Sequence, residues 1–109
     1  MILDLPNIPE HAMPNFKGGE GTAWVRMFFD GQNRIMLGRL PAGASIGVHT
    51  HETNSEIMHV LSGTARVIMD GETEIVRAGQ THYCPKGHTH TTICDGPEEL
   101  HILAVVPEQ

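Results

Sequence analysis

No stretch of ten or more residues in this chain keeps a helical period. From Trp24 the sequence runs instead as short β-type segments cut by turn residues: WVRMFF, DGQN, RIMLGRL, PAGAS. In TARVIMD, Ala65, Val67 and Met69 alternate with Arg66, Ile68 and Asp70, and Asp70-Gly71 then offers a two-residue hairpin turn into ETEIVR. One face of that hairpin is expected to be buried. Further on, HILAVV is apolar on both faces apart from His101, as a strand inside a sandwich would be. So many short strands with Gly and Pro between them predict an all-β sandwich or small barrel over residues 24–109. Residues 1–23 differ, because Pro6, Pro9, Pro14 and the cluster GGEG interrupt any regular period. They are expected to form an irregular N-terminal arm, available as an edge strand in a dimer.

A chain of 109 residues suits one core and is too short for two. With a net charge of -6 and no run of Lys or Arg, it carries no electrostatic footprint for nucleic acid or an anionic membrane. The expected partner is a small molecule. No apolar run approaches the ~18 residues of a bilayer span, and MILDLPNIPE lacks a basic segment followed by an apolar one. A cytoplasmic location is therefore expected, with Cys84 and Cys94 as reduced thiols rather than a disulfide.

The chemistry is concentrated in GVHTHETNSEIMHVLSG, residues 47–63. Alternate residues of a strand face the same way, so His49 and His51 project their rings side by side and can reach one point. After ETNS, Glu56 opens the next strand, where its carboxylate can meet those rings. Two neutral imidazoles and a carboxylate form an arrangement that first-row metals accept while keeping positions open for substrate. A second cluster, GQTHYCPKGHTHTTIC, puts His88, His90, Thr92 and Cys94 on one face, and if that face looks into the same cavity His90 is placed to supply a third imidazole. His88 reads either as a proton carrier at the cavity rim or as a solvated turn residue. Cys94 reads either as an inert buried side chain or as a thiol lining the cavity. His59 has the opposite parity to Glu56 and should face away, while His82 and His11 read as surface. Arg26, Arg34 and Arg39 default to solvated faces, though one of them could anchor an anionic substrate.

These residues resemble the cupins. The pattern G-x5-H-x-H-x4-E-x6-G is met by Gly43, His49, His51, Glu56 and Gly63, and G-x5-P-x-G-x2-H-x3-N by Gly79, Pro85, Gly87 and His90, with Cys94 in place of the usual Asn. The resemblance implies a double-stranded β-helix, a jelly-roll barrel, with one divalent transition metal ion (Mn, Fe, Co, Ni, Cu or Zn) held by His49, His51, Glu56 and His90. It also implies a homodimer. Cupin activities include dioxygenation, decarboxylation and isomerisation of small oxygenated metabolites such as keto or enol acids and sugar derivatives. The alternative is a non-catalytic barrel that binds or senses a small molecule.

Overall fold

The computed structural model describes the whole chain, Met1–Gln109. Ten strands follow one another: β1 (His11–Pro14), β2 (Thr22–Phe29), β3 (Asn33–Leu40), β4 (Ser45–Thr50), β5 (Glu56–Ser62), β6 (Thr64–Met69), β7 (Glu72–Arg77), β8 (Thr81–Cys84), β9 (Thr89–Cys94) and β10 (Leu100–Pro107). They pair antiparallel into a six-stranded sheet, β1-β2-β3-β10-β5-β8, and a four-stranded sheet, β4-β9-β6-β7. This is the expected jelly-roll barrel. The two short 3-10 turns, Leu5–Asn7 and Phe16–Gly18, are its only helical segments, and no helix is long and apolar enough to cross a membrane.

Local sequence explains the pairing. Asp70 and Gly71 both adopt positive φ, 51° and 83°, which is the backbone of a tight turn whose twist matches its flanking strands. The turn sets β6 and β7 in register from Met69↔Glu72 to Thr64↔Arg77, and Ala65 and Val67 become wholly buried as the alternation requires. The core lies between the sheets, with Leu40, Met58, Val60, Val67, Leu100, Ile102 and Ala104 at its centre.

β10 behaves differently from the expectation of a strand covered on both faces. Leu100, Ile102, Ala104 and Val106 point into the core, whereas Leu103 and Val105 lie half-exposed on the outer face of the six-stranded sheet. Strand register continues that outer face as an apolar row across five strands: Phe28, Ile35, Val105, Ile57 and Tyr83. Phe28, Ile35 and Val105 are half-buried in this row, while Ile57 and Tyr83 are exposed.

The inner face holds the corresponding row Met27, Met36, Ala104, Met58 and His82. His82 is therefore not a surface residue, as its sequence context suggested, but only 3% exposed. In Thr81-His82-Tyr83-Cys84 both faces are of middling polarity, so alternation alone does not say which one turns inward. Register with Met58 decides it.

The arm is more ordered than its prolines suggest. β1 pairs with β2 of its own chain from His11↔Val25 to Pro14↔Thr22, as an edge strand. The connection that follows docks on β4, where the Glu20 amide donates to Ser45 Oγ at 2.8 Å. That docking needs two glycines in contact, because a Cβ on Gly47 would collide with the Lys17 carbonyl and one on Gly19 with the Ser45 carbonyl. Met13, Phe16 and Lys17 are thereby held over the barrel mouth.

Candidate metal centre

β4, β5 and β9 bring the two sequence clusters together. His49 pairs with His90 across β4 and β9, and Glu56 begins β5 on the facing sheet. One ligand atom from each of His49, His51, Glu56 and His90 lies within 4.8 Å of all the others. His90 Nε2 is 3.0 Å from His51 Nε2, 3.1 Å from His49 Nε2 and 3.1 Å from Glu56 Oε1. His51 Nε2 is 3.2 Å from the same carboxylate oxygen, and His49 Nε2 is 4.0 Å from it.

These separations fit a cation. Donors bound at about 2.1 Å and at right angles to one another stand about 3.0 Å apart, and two facing donors about 4.2 Å. The tautomers fit as well. His49 Nδ1 lies 2.7 Å from the Gly47 carbonyl, and His51 Nδ1 lies 2.6 Å from Asn54 Oδ1. Both acceptors hold a ring proton on Nδ1, so that with an ion bound Nε2 is a lone pair aimed at the cluster centre. Four lone-pair donors converge there, a set that is repulsive without a positive charge among them and favourable around one.

Ionisation in the ion-free protein follows from the same contacts. Burial opposes the Glu56 carboxylate charge, but hydrogen bonds from His51 and His90 outweigh it and lower the pKa to about 2. His51 is raised, chiefly by its bond to Glu56. His49 is lowered by burial.

His49, His51 and Glu56 line a cavity of about 450 Å³ that opens to solvent, with the buried His90 behind them. Met13, Phe16, Met27, Met36, Ile46 and Val106 make its apolar part. Lys17 and Arg34 bring positive charge to it. Arg34 rests 4.6 Å over the Phe29 ring and bonds Met27 Sδ, and neither cation has a carboxylate in ion-pair contact. The sequence does not distinguish Arg26, Arg34 and Arg39, but the structure separates them. Arg39 is held by Glu10 and Glu99, and Arg26 donates to the Ile8 carbonyl.

Two further candidates fall outside the cavity. His88 precedes β9 and its ring bonds Asp70 at 2.5 Å with 45% of the side chain exposed, which matches the solvated-turn reading and not the rim reading. Cys94 shares the face of His90 but lies four residues along β9, about 13 Å away. There it is buried in the core with its thiol donating to the Glu98 carbonyl at 3.1 Å. Both cysteines are free thiols, and burial pushes Cys84 up to about 11. His59 faces away from the cluster and bonds Thr81 Oγ1.

What sequence reasoning missed is His82, whose Nε2 lies 3.0 Å from His90 Nδ1 and whose Nδ1 lies 2.8 Å from Glu74 Oε1.

This barrel, with three imidazoles and a carboxylate clustered beside an open cavity, defines a β-barrel protein with a potential metal site. The cupin domain model matches residues 36–106, and the chain belongs to the cupin family. Among solved structures, a predicted oxalate decarboxylase from Thermotoga maritima is similar over 100% of both chains, with 25% identity and a TM-score of 0.93. The polyketide cyclase RemF from Streptomyces resistomycificus is similar over 98% of this chain and 78% of its own, at 19% identity and a TM-score of 0.80. An RmlC-like cupin from Shewanella frigidimarina is similar over 92% of this chain and 85% of its own, at 19% identity and a TM-score of 0.73. No curated protein sequence matches the chain.

Proposed function

We propose that this cupin is a metal-dependent enzyme acting on a small carboxylate-bearing metabolite, such as a keto or enol acid or a sugar acid. The observation that carries the reading is one cavity lined by three members of the four-donor cluster, His49, His51 and Glu56, and by two cations free of carboxylate partners, Lys17 and Arg34. His49, His51, Glu56 and His90 would hold one divalent ion. Bound there, it would polarise carbonyl or carboxylate oxygens as a Lewis acid. Arg34 presents a rigid fork of donors to the substrate carboxylate, which fixes its orientation. Met27 and Met36 adapt to its carbon skeleton and exclude water. Glu52 is the one lining carboxylate outside the donor cluster and is the group free to exchange a proton with bound substrate. Decarboxylation is the reaction type favoured by the likeness to the predicted oxalate decarboxylase from Thermotoga maritima.

The test is a panel of small keto, enol and dicarboxylic acids offered to the Mn- and Zn-loaded protein, with Arg34→Ala in parallel. Turnover is expected, with KM raised about tenfold or more in the variant by loss of a charge-assisted contact. Saturable binding without turnover would make the protein a binding barrel instead. Neither turnover nor binding for any acid in the panel would overturn the substrate class.

The homodimer also stands as a proposal. The row Phe28, Ile35, Val105, Ile57 and Tyr83 ends in side chains 40% exposed at Ile57 and 52% at Tyr83, and Glu10, Arg39, Glu99 and His101 border the face with charge. An apolar centre with a polar rim suits a second copy of the same face packed about a two-fold axis. Light scattering at micromolar concentration is expected to give twice the chain mass, and Ile57→Glu to give the monomer. A monomeric wild type would contradict the proposal.

A further inference from the structure

Outside the four-donor cluster, the most unusual group in the molecule is a buried histidine that touches it. His82 has a side chain only 1% exposed, at the centre of β8 on the inner face of the six-stranded sheet. On one side its Nε2 lies 3.0 Å from His90 Nδ1. On the other its Nδ1 lies 2.8 Å from Oε1 of Glu74, whose side chain is 48% exposed. The two ring centroids are 5.2 Å apart with planes at 24°, as in imidazoles joined nitrogen to nitrogen near one plane. The chain of contacts also crosses from one sheet to the other: β8 ends the six-stranded sheet and β7, which carries Glu74, ends the four-stranded sheet.

We propose that His82 and Glu74 are positioning residues that fix the tautomer and aim of His90 and strengthen it as a metal donor. The inference rests on the metal reading above and goes beyond it, to two residues outside the ligand set. The proton logic has one solution. If His90 Nε2 is a ligand it carries no proton, so the His90 ring proton sits on Nδ1 and donates to His82 Nε2. His82 then keeps its own proton on Nδ1, where it donates to the Glu74 carboxylate. Negative charge at the far end draws both protons outward and makes His90 Nε2 a more basic donor. His49 is oriented by a backbone carbonyl and His51 by the Asn54 amide, whose nitrogen in turn donates to Glu108, so His90 is the one imidazole of the three oriented by a second imidazole, through which the Glu74 charge reaches it. Losing Glu74 removes that charge while leaving the three imidazoles and Glu56 in place.

The experiment compares wild type, Glu74→Ala, Glu74→Gln and His90→Ala, each stripped with chelator and titrated with Zn and with Mn against a competing chelator. Long-range ¹H–¹⁵N spectra of the Zn-loaded proteins report the His82 and His90 tautomers. Glu74 is half in solvent, so the ion-free thermal midpoint of Glu74→Ala should stay close to wild type. Its affinity is expected to fall about 10- to 100-fold, with His82 losing its pure Nδ1–H tautomer. Glu74→Gln keeps a neutral acceptor and should recover part of the affinity. Unchanged affinity and tautomers in Glu74→Ala, beside a wild type that binds and a His90→Ala that does not, would overturn the relay and leave the metal site standing. Lost affinity with the His82 tautomer unchanged would reduce Glu74 to a background charge and also overturn it. A wild type that binds neither ion would remove the metal reading and the relay with it.

Discussion

Replacing His90 with alanine is expected to abolish the stabilisation that a divalent ion gives the wild-type chain. An ion that binds only the native state adds about 4 kcal/mol at a free concentration a thousandfold above its dissociation constant. In a domain of this size that raises the thermal midpoint by roughly 15 °C or more. His90 is the hub of the cluster, in contact with His49, His51 and Glu56 at once, and its side chain is fully buried. Its alanine variant should melt at the same temperature with and without Zn or Mn.

The ion-free protein carries a second signature in its pH dependence. Glu56 is lowered in the folded state from 4.5 to about 2, so its contribution is complete above pH 4.5 and is lost as pH falls towards 2. His51 is raised from 6.5, so its contribution is complete below pH 6.5 and is lost as pH rises through the raised value. Together they place the greatest benefit of the pair between about pH 4.5 and 6.5. Urea midpoints measured against pH in chelator should show both limbs, and Glu56→Gln should flatten them. A wild-type profile that already lacks both limbs would contradict the Glu56–His51 pairing.

The other large effect is expected at Gly47→Ala. The added methyl has to occupy the position of the Lys17 carbonyl, and backbone on both sides leaves neither partner an easy retreat. Overpacking of this kind costs about 1–3 kcal/mol or more when backbone must shift. The segment most free to move is the arm, which should detach around Phe16 and Lys17. Because both residues line the cavity, the variant is expected to combine a lower urea midpoint with faster proteolysis in residues 15–21 and weaker binding of small carboxylates. A variant as stable and as protease-resistant as wild type would mean that the arm is not held by this contact.

Much of the barrel could be read from the sequence, because its signals are local. Asp70-Gly71 fixes a hairpin by its own backbone preference, and the alternation in β6 states which face is buried. His49, His51 and Glu56 lie close enough along the chain for strand parity to bring them together, and the paired cupin patterns add His90. Contacts set by pairing between distant strands were not legible. The inward turn of His82 depends on its register with Met58, and its link to Glu74 on two sheet edges meeting. Cys94 shows the reverse difficulty: parity puts it on the same face as His90, but distance along the strand carries it past the cavity and into the core. The arm was opaque because its order comes from glycine contacts with β4, which leave no periodic trace. Likewise, an apolar β10 does not reveal that its outer face, at Leu103 and Val105, stays partly exposed.

The central claim is that His49, His51, Glu56 and His90 hold one metal ion. It is tested most directly by elemental analysis of untagged protein purified without added metal, beside His49→Ala prepared identically. The account predicts close to one transition-metal ion per chain in the wild type and a near-complete loss in the variant, whose cluster keeps only three donors. Metal-free wild type that takes up none on reconstitution, or equal metal in both proteins, would contradict it.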